Sequence, residues 1–191
     1  NEIGIFEMQS IGMVQVKNPS QIFLQDRPQN TPGSIVIASV EGTRPLLVEI
    51  QALVSPAGVG IPRRTCTGVD NNRLAIVIAV LEKKLNLHLY DQDIFLNVTG
   101  GVNIEEPAAD LGIALAIISS FKNTPIPSDI IAAGEIGLGG EIRSVGQIDK
   151  RIAEAEKLGF KRFILPNVKT ERSSIRCIAV KNILDVRESI F

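Results

Sequence analysis

The sequence predicts an α/β domain, in the broad sense that includes α+β, with a mixed sheet and helices packed against it. Stretches rich in β-branched residues alternate with helical stretches along the second half of the 191-residue chain, which is the order that produces this class. Hydrophobic residues make up 45% of the chain and aromatic residues only 4%, with no Trp. The length allows one domain with a sizeable core, and the composition predicts a core of Ile, Leu, Val and Ala.

The first predicted element is a β-hairpin. Residues 3–8 and 11–16 have the pattern of two short strands joined by a turn at residues 9–10. Because an isolated hairpin is marginally stable in water, we expect these strands to belong to a sheet whose other members lie elsewhere.

A proline-containing segment separates this hairpin from the main domain. Ser20 is a candidate cap of a short helical turn. Residues 25–33 hold two prolines together with Asp, Asn and Thr, as exposed loops do. We therefore divide the chain into a hairpin at residues 1–17, a linker at 18–33 and the main domain at 34–191.

The main domain begins with two strands and a helix. Residues 34–40 and 46–54 are rich in β-branched residues and are separated by a short turn. Residues 71–86 form a helix candidate that is apolar on nearly every side, which predicts burial on several sides. Asn71 and Asn72 are both candidate N-caps of this helix.

The remaining elements alternate between strand and helix. The predicted strands are residues 93–98, 130–136, 142–145, 163–165 and 175–180, and the predicted helices are residues 108–121, 147–158 and 182–190. The helix at 147–158 carries apolar residues at helical spacing on one side and charges opposite. Gly159 follows it as a C-cap glycine does, and Asn182 is the candidate cap of the last helix.

Several classes of site lack a sequence signal. The chain has neither a Walker A sequence, GxxxxGK(S/T), nor a GxGxxG loop after a strand, so nucleotide binding has no support from motifs. The two cysteines, Cys66 and Cys177, are far apart and the single histidine is His88, which argues against a disulfide scaffold, a zinc site and His-dependent catalysis. No apolar stretch reaches the roughly 18 residues of a membrane span. The adjacent carboxylates Glu105 and Glu106 are predicted to lie in a solvated turn ahead of a helix.

Basic residues indicate a possible nucleic-acid contact. The net charge is only −1, but positive residues concentrate in a predicted loop and the helix after it, namely Arg63, Arg64, Arg73, Lys83 and Lys84. No aromatic residues alternate with them, so we expect sequence-independent contact with DNA phosphates rather than base recognition. The alternative is that these side chains form salt bridges with neighbouring acids or with the next subunit of an assembly.

Ordered segments of the chain resemble a known family. They are residues 1–8, 41–54, 62–64, 72–75, 91–93 with 97–102, and 134–143. Over residues 1 to about 166, the sequence resembles the C-terminal Lon-protease-like domain of the bacterial RadA/Sms family of recombination and repair proteins. After residue 169 the resemblance fades.

The resemblance implies a Lon protease catalytic-domain-like fold preceded by the hairpin, which would be the last strands of an ATPase domain. Proteins of this family carry a four-cysteine zinc finger, a RecA-like ATPase and a KNRFG motif, none of which this sequence contains. ATP, Mg and Zn are therefore expected in N-terminal regions outside this sequence, and no cofactor or metal in the chain itself. The family also implies a hexameric ring, single-stranded or branched DNA as the partner, no membrane partner and a cytoplasmic location, bacterial or organellar.

The resemblance also bears on peptidase activity. Lon proteases use a serine in a Pro-Ser-Ala-Gly run and a lysine after a Gly-Gly-Leu run, and the matching positions here are Ala108 and Asp149. Because a methyl group cannot attack a carbonyl carbon, the resemblance implies a degenerate dyad, no peptidase activity and no catalytic residue.

The expected function is that of a noncatalytic scaffold and DNA-contacting module of an ATP-dependent branch-migration motor in homologous recombination and DNA repair. The chain itself is expected not to be an enzyme. Two alternatives are a pure oligomerisation platform without DNA contact and a Lon-like serine peptidase. Salt-dependent binding to DNA distinguishes the first alternative, and the residues at positions 108 and 149 argue against the second.

Overall fold

A computed structural model of the chain describes residues 6–16, 18–171 and 173–190, apart from the side chains of residues 7, 9, 41 and 187–189. Residues 1–5, which open the predicted first strand and the first family-like segment, lie outside the described residues.

The elements of the described residues follow the predicted alternation of strands and helices. The strands are β1 (Phe6–Gln9), β2 (Gly12–Gln15), β3 (Ser34–Glu41), β4 (Arg44–Pro56), β5 (Arg64–Thr67), β6 (Gln92–Val98), β7 (Ile130–Ala132), β8 (Glu135–Ile136), β9 (Ile142–Arg143), β10 (Arg162–Pro166) and β11 (Arg176–Val180). The helices are α1 (Pro19–Leu24), α2 (Asn71–Leu85), α3 (Asp110–Phe121), α4 (Ile148–Lys157) and α5 (Ile183–Ile190). Short 3-10 turns occupy Thr99–Gly101 and Pro107–Ala109.

Seven strands form the central sheet, in the order β11-β10-β7-β3-β4-β6-β5. Strand β4 pairs antiparallel with both β3 and β6, whereas the other neighbouring pairs are parallel. The prediction of an α/β fold with a mixed sheet and packed helices is therefore confirmed. Its Lon-protease-like character is implied by the resemblance and stays a prediction.

The two faces of the sheet are covered to different extents. Helices α2, α3 and α5 enclose the larger aliphatic core on one face, with Leu74, Leu115 and Val186 buried in it. Helices α1 and α4 cover part of the opposite face, where Ala155 of α4 joins a second cluster with Phe163 of β10. The abundance of Ile, Leu, Val and Ala in both clusters confirms the predicted aliphatic core.

The predicted hairpin is present, whereas the predicted linker contains a helix. Strands β1 and β2 form a separate two-stranded antiparallel sheet, as predicted. The segment predicted to be a linker contains α1, whose N-cap is Asn18 and not Ser20. Ser20 is instead buried, and its hydroxyl accepts a hydrogen bond of 3.0 Å from the backbone NH of Leu47. The division into 1–17, 18–33 and 34–191 stays a prediction.

Three helix termini can be compared with their predicted caps. Asp70, not Asn71 or Asn72, caps α2, because its carboxylate accepts hydrogen bonds of 2.9 and 3.1 Å from the backbone NH groups of Asn72 and Arg73. Asn182 does cap α5. Gly159 follows α4 with a φ of 86°, the left-handed conformation that glycine adopts most readily.

Candidate nucleic-acid interface

Arg63 immediately precedes β5 and is bound to Asp93 of β6. Its Nε and Nη2 atoms donate hydrogen bonds of 3.0 and 2.7 Å to Asp93 Oδ2, and its backbone NH donates one of 2.7 Å to Oδ1. These bonds, the backbone one first, lower the pKa of Asp93. The guanidinium carbon lies 5.3 Å from the centre of the Phe95 ring, yet 70% of the Arg63 side chain is exposed. Arg63 is therefore paired internally but remains accessible.

Arg64 is the first residue of β5 and turns towards the protein. Its Nη2 atom donates a hydrogen bond of 2.7 Å to the carbonyl oxygen of Leu89, and Nη1 donates to that of Gln92. Leu89 lies just before β6, and Gln92 is the first residue of β6. Arg64 therefore ties the edge strand to its neighbour, which leaves less of its hydrogen-bonding capacity for an external phosphate.

Arg73 lies in the first turn of α2 and reaches the first residue of α3. Its Nη1 atom donates a hydrogen bond of 2.7 Å to Asp110 Oδ1, and Asp110 Oδ2 accepts one of 3.1 Å from the backbone NH of Ile136. Burial raises the pKa of Asp110, although the bonds from Arg73 and Ile136 act in the opposite direction. The ion pair therefore joins α2 to α3, and the bond from Ile136 joins α3 to β8.

Lys83 and Lys84 differ from the three arginines. They lie in the last turn of α2, both are exposed, and neither forms a salt bridge within the part of the chain that the structure describes. The methylene groups of Lys84 lie beside Gly140. The side of α2 that carries Arg73 and Lys84 thus faces the segment between β8 and β9.

The structure therefore divides the five predicted DNA contacts into two groups. Arg63 and Arg73 form the intramolecular salt bridges that the sequence left open as an alternative, and Arg64 binds backbone carbonyls. Lys83 and Lys84 have their ammonium groups available. The assignment of all five residues to a DNA surface stays a prediction.

The positions matching the Lon dyad carry neither a serine nor a lysine. Ala108 is 2% exposed, and its carbonyl oxygen accepts a hydrogen bond of 2.9 Å from the backbone NH of Gly134. Asp149 lies in the first turn of α4, where its Oδ1 atom accepts a hydrogen bond of 3.0 Å from the backbone NH of Glu171. The expected absence of peptidase activity stays a prediction.

A buried ion pair beside these positions was not anticipated. Arg151 of α4 is 2% exposed and donates hydrogen bonds of 2.8 and 2.7 Å to the two carboxylate oxygens of Glu106. The backbone NH of Val40 also donates to Glu106, at 2.6 Å. The prediction that Glu106 lies in a solvated turn is therefore wrong, because its carboxylate is bound between α4, β3 and the turn before α3.

A cleft of about 930 Å³ opens between the start of α2, the loop before the Pro107–Ala109 turn and the β8–β9 hairpin. Its charged lining residues are Asp70, Arg73, Glu105, Asp110, Glu135, Glu141 and Arg143. Carboxylates outnumber guanidinium groups in this set, so the cleft is electrostatically unsuited to phosphate.

The described residues offer neither a cluster of metal ligands nor a membrane-spanning helix. No group of three or more His, Cys, Asp or Glu side chains in them has an arrangement that could hold a metal ion. None of their helices has the length and apolar character needed to cross a membrane.

Comparison with known proteins identifies relatives over nearly the whole chain. DNA repair protein RadA of Halalkalibacterium halodurans is 52% identical, over 98% of this chain and 42% of that protein. The proteins of the same name from Bacillus subtilis and Streptococcus pneumoniae are 50% and 48% identical, over 97% and 100% of this chain. The chain spans 41–46% of the length of these three relatives. The resemblance to RadA/Sms proteins is thus confirmed.

The comparisons also correct one expectation. The expectation that the chain is not an enzyme is contradicted by its relatives named DNA repair protein RadA and by a match to a magnesium chelatase subunit. The expectation rested on the missing Walker A sequence and on residues 108 and 149. Since the chain spans less than half of these relatives, motifs missing from it do not decide the enzyme class.

The family model described as subunit ChlI of Mg-chelatase matches residues 57–169, which is more than half of the chain. This span runs from the loop after β4 to just beyond the end of β10 and includes α2, α3 and α4. The chain therefore belongs to the family described as subunit ChlI of Mg-chelatase, and its relatives at about 50% identity are DNA repair proteins named RadA.

Proposed function

We propose that this chain forms the DNA-contacting part of an ATP-dependent protein of DNA repair and recombination similar to RadA. The observation that carries the DNA contact is the pair of exposed lysines at the end of α2, which form no salt bridge with any described residue. An ammonium group is a mobile point charge that suits phosphate without reading a base. Contact through Lys83 and Lys84 is therefore independent of DNA sequence.

The proposal extends to the assembly in which this chain acts. The resemblance to RadA/Sms proteins supports a hexameric ring in the bacterial cytoplasm that hydrolyses ATP and moves branched or single-stranded DNA during branch migration. ATP, Mg and Zn would be bound by regions that this sequence does not contain. The chain would form one layer of the ring. Its lysines at the end of α2 would give part of the DNA-binding path a positive charge.

The test is salt-dependent DNA binding by a full-length protein that contains this chain, with Lys83→Gln and Lys84→Gln combined. Removing two phosphate contacts should weaken binding and flatten the plot of log affinity against log salt concentration by up to about 2. Fluorescence anisotropy with single-stranded and duplex oligonucleotides measures both quantities.

A matched control replaces Lys161 and Lys169, two exposed lysines outside α2, by Gln. The control should leave the affinity close to that of the parent protein, although it removes the same formal charge. If the double variant of α2 binds with unchanged affinity and an unchanged slope, the lysines do not contact DNA, and the oligomerisation platform is favoured instead.

A further inference from the structure

One end of the central sheet is open to solvent on the face opposite α2 and α3. Side chains alternate along β4, β5 and β6, so that Ile50, Ala52, Ile94 and Leu96 enter the main core while their neighbours point to the other side. Helices α1 and α4 cover that other side over β3 and the part of β4 around Leu47, and leave the later part of β4 uncovered together with β5 and β6. The uncovered residues, here called the open face, are Gln51, Leu53, Arg63, Thr65, Thr67, Phe95 and Asn97.

The open face forms a shallow groove. The segment from Pro28 to Ser34 borders it, and together they enclose about 470 Å³. Leu53 is 60% exposed at its centre. Thr65, Thr67 and Asn97 are exposed too and carry neutral groups that donate and accept hydrogen bonds.

The two carboxylates next to the open face, Asp93 and Glu49, form hydrogen bonds within the protein. Asp93 is bound by Arg63. Glu49, next along β4, is 2% exposed and accepts hydrogen bonds from the Ser34 hydroxyl and, at 3.2 Å, from Gln51 Nε2. The groove therefore presents no unpaired acid among the described residues that would repel a polyanion.

Arg63 is held as a flat platform at the edge of this groove. Two of its nitrogen atoms bind Asp93, which fixes the plane of the guanidinium, and the group lies over the Phe95 ring. With 70% of the side chain exposed, the side of the guanidinium away from Phe95 is open to solvent. Because Asp93 offsets its charge, Arg63 is a weak ligand for phosphate, whereas its planar surface remains available for stacking.

We propose that the open face binds the bases of single-stranded DNA, with the exposed side of the Arg63 guanidinium stacking on one base. Unpaired bases stack on guanidinium planes and aromatic rings irrespective of sequence, and neutral Thr, Gln and Asn groups accommodate the edges of any base. Duplex DNA is a poor ligand because its bases are already stacked and paired. This inference rests on the proposed DNA-contacting function and assigns Arg63 to bases, while Lys83 and Lys84 serve phosphates.

The two surfaces lie on opposite faces of the sheet, so they can be tested separately. The test uses the full-length protein, an oligodeoxythymidylate and a duplex of equal length, with anisotropy measured over a series of salt concentrations. Arg63→Lys keeps the charge but removes the plane. It should weaken binding of the single strand about five-fold or more, the loss of one stacked base. Its salt slope and its affinity for the duplex should not change.

A second variant is needed because Arg63→Lys also alters the hydrogen bonds to Asp93, which could weaken DNA binding indirectly. Thr67→Glu adds a carboxylate to the exposed side of β5 without removing a side-chain bond of the described chain. It should also weaken single-strand binding. The control is the Lys83→Gln, Lys84→Gln variant, which should lower affinity for both DNA forms and flatten the salt slope.

The outcomes separate this inference from the proposed function. If Arg63→Lys and Thr67→Glu bind the single strand like the parent while the lysine variant is impaired, the base-binding face is overturned and the DNA contact stands. If none of the variants affects binding, both fail. If the open-face variants change only the mass measured by light scattering, the face contacts a second copy of the chain and not DNA.

Discussion

At the scale of single residues, Arg151 joins three parts of the chain from a buried position. Besides binding Glu106 with two bonds, it donates to the carbonyl oxygens of Ala38 in β3 and, at 2.9 Å, of Gly146 before α4. A guanidinium has five donors in a fixed plane and can satisfy such a set, which a lysine cannot. Arg151 thereby sets where α4 meets the sheet.

We predict that Arg151→Ala destabilises the fold by about 3 kcal/mol, because the Glu106 carboxylate would stay largely buried without its cation. Urea denaturation of the chain measures the change. Arg162→Ala is the matched control, since the Arg162–Asp129 pair is about one-third exposed on both sides and should contribute less than about 1 kcal/mol. Equal losses in the two variants would show that burial does not govern the contribution of these pairs.

The partners of the arginines show what sequence reasoning missed at this scale. Arg63 and Asp93 are 30 positions apart, and Arg73 and Asp110 are 37 apart. No local pattern connects residues at such distances. The sequence could predict that positive charge clusters between residues 63 and 84. It could not predict which of these residues form intramolecular salt bridges, since that depends on which strands and helices become neighbours.

At the scale of elements, the contact between α3 and β3 depends on a residue without a side chain. A Cβ atom at Gly112 would lie 2.0 Å from Cγ2 of Ile37, far inside van der Waals contact. Because position 112 carries no side chain, α3 can lie close to the sheet with nearly its whole surface buried.

We predict that Gly112→Val destabilises the protein by about 3 kcal/mol through overpacking. Adding Ile37→Ala should recover part of the loss, because it removes the methyl group that the new side chain meets. Denaturant titration of the single and double variants gives the coupling. Gly58→Val serves as a control with no atom within 4 Å of the added Cβ. Additive losses for Gly112→Val and Ile37→Ala would contradict the assigned contact.

Two element predictions differ from the structure for identifiable reasons. The strand predicted at 130–136 is interrupted, because the NH of Ala133 still binds Ile164 of β10 while the NH of Gly134 turns to Ala108. Strand β5 was not predicted, since its four residues include only one apolar side chain, Cys66. It exists because β6 offers a parallel edge to pair with.

At the scale of the whole molecule, apolar side chains concentrate on the N-terminal hairpin. Phe6, Met8, Ile11 and Met13 are each more than half exposed. Met8 and Met13 are direct partners across the two strands, so they share one face of the hairpin. A contiguous apolar stripe of this kind marks an interaction surface.

We predict that this chain associates in solution at high concentration and that Met8→Glu with Met13→Glu lowers the mass measured by light scattering. The charged pair would have to be buried at the contact, which is costly. Gln15→Glu, at an exposed polar position of the same hairpin, controls for added charge. A strictly monomeric parent chain would assign the contacts of the proposed ring to other regions of the protein.

The sequence by itself determined the fold class, the aliphatic core and the family, because these follow from composition, from the periodicity of apolar residues and from ordered motifs over about 166 positions. Only the tertiary structure decided which basic residues are free. It paired Arg73 with Asp110 and fixed Arg63 over Phe95, and it left Lys83 and Lys84 exposed. It also left one end of the sheet uncovered. The physical reason is that burial and ion pairing depend on contacts between distant segments, which strand order and helix packing create and which local patterns do not encode.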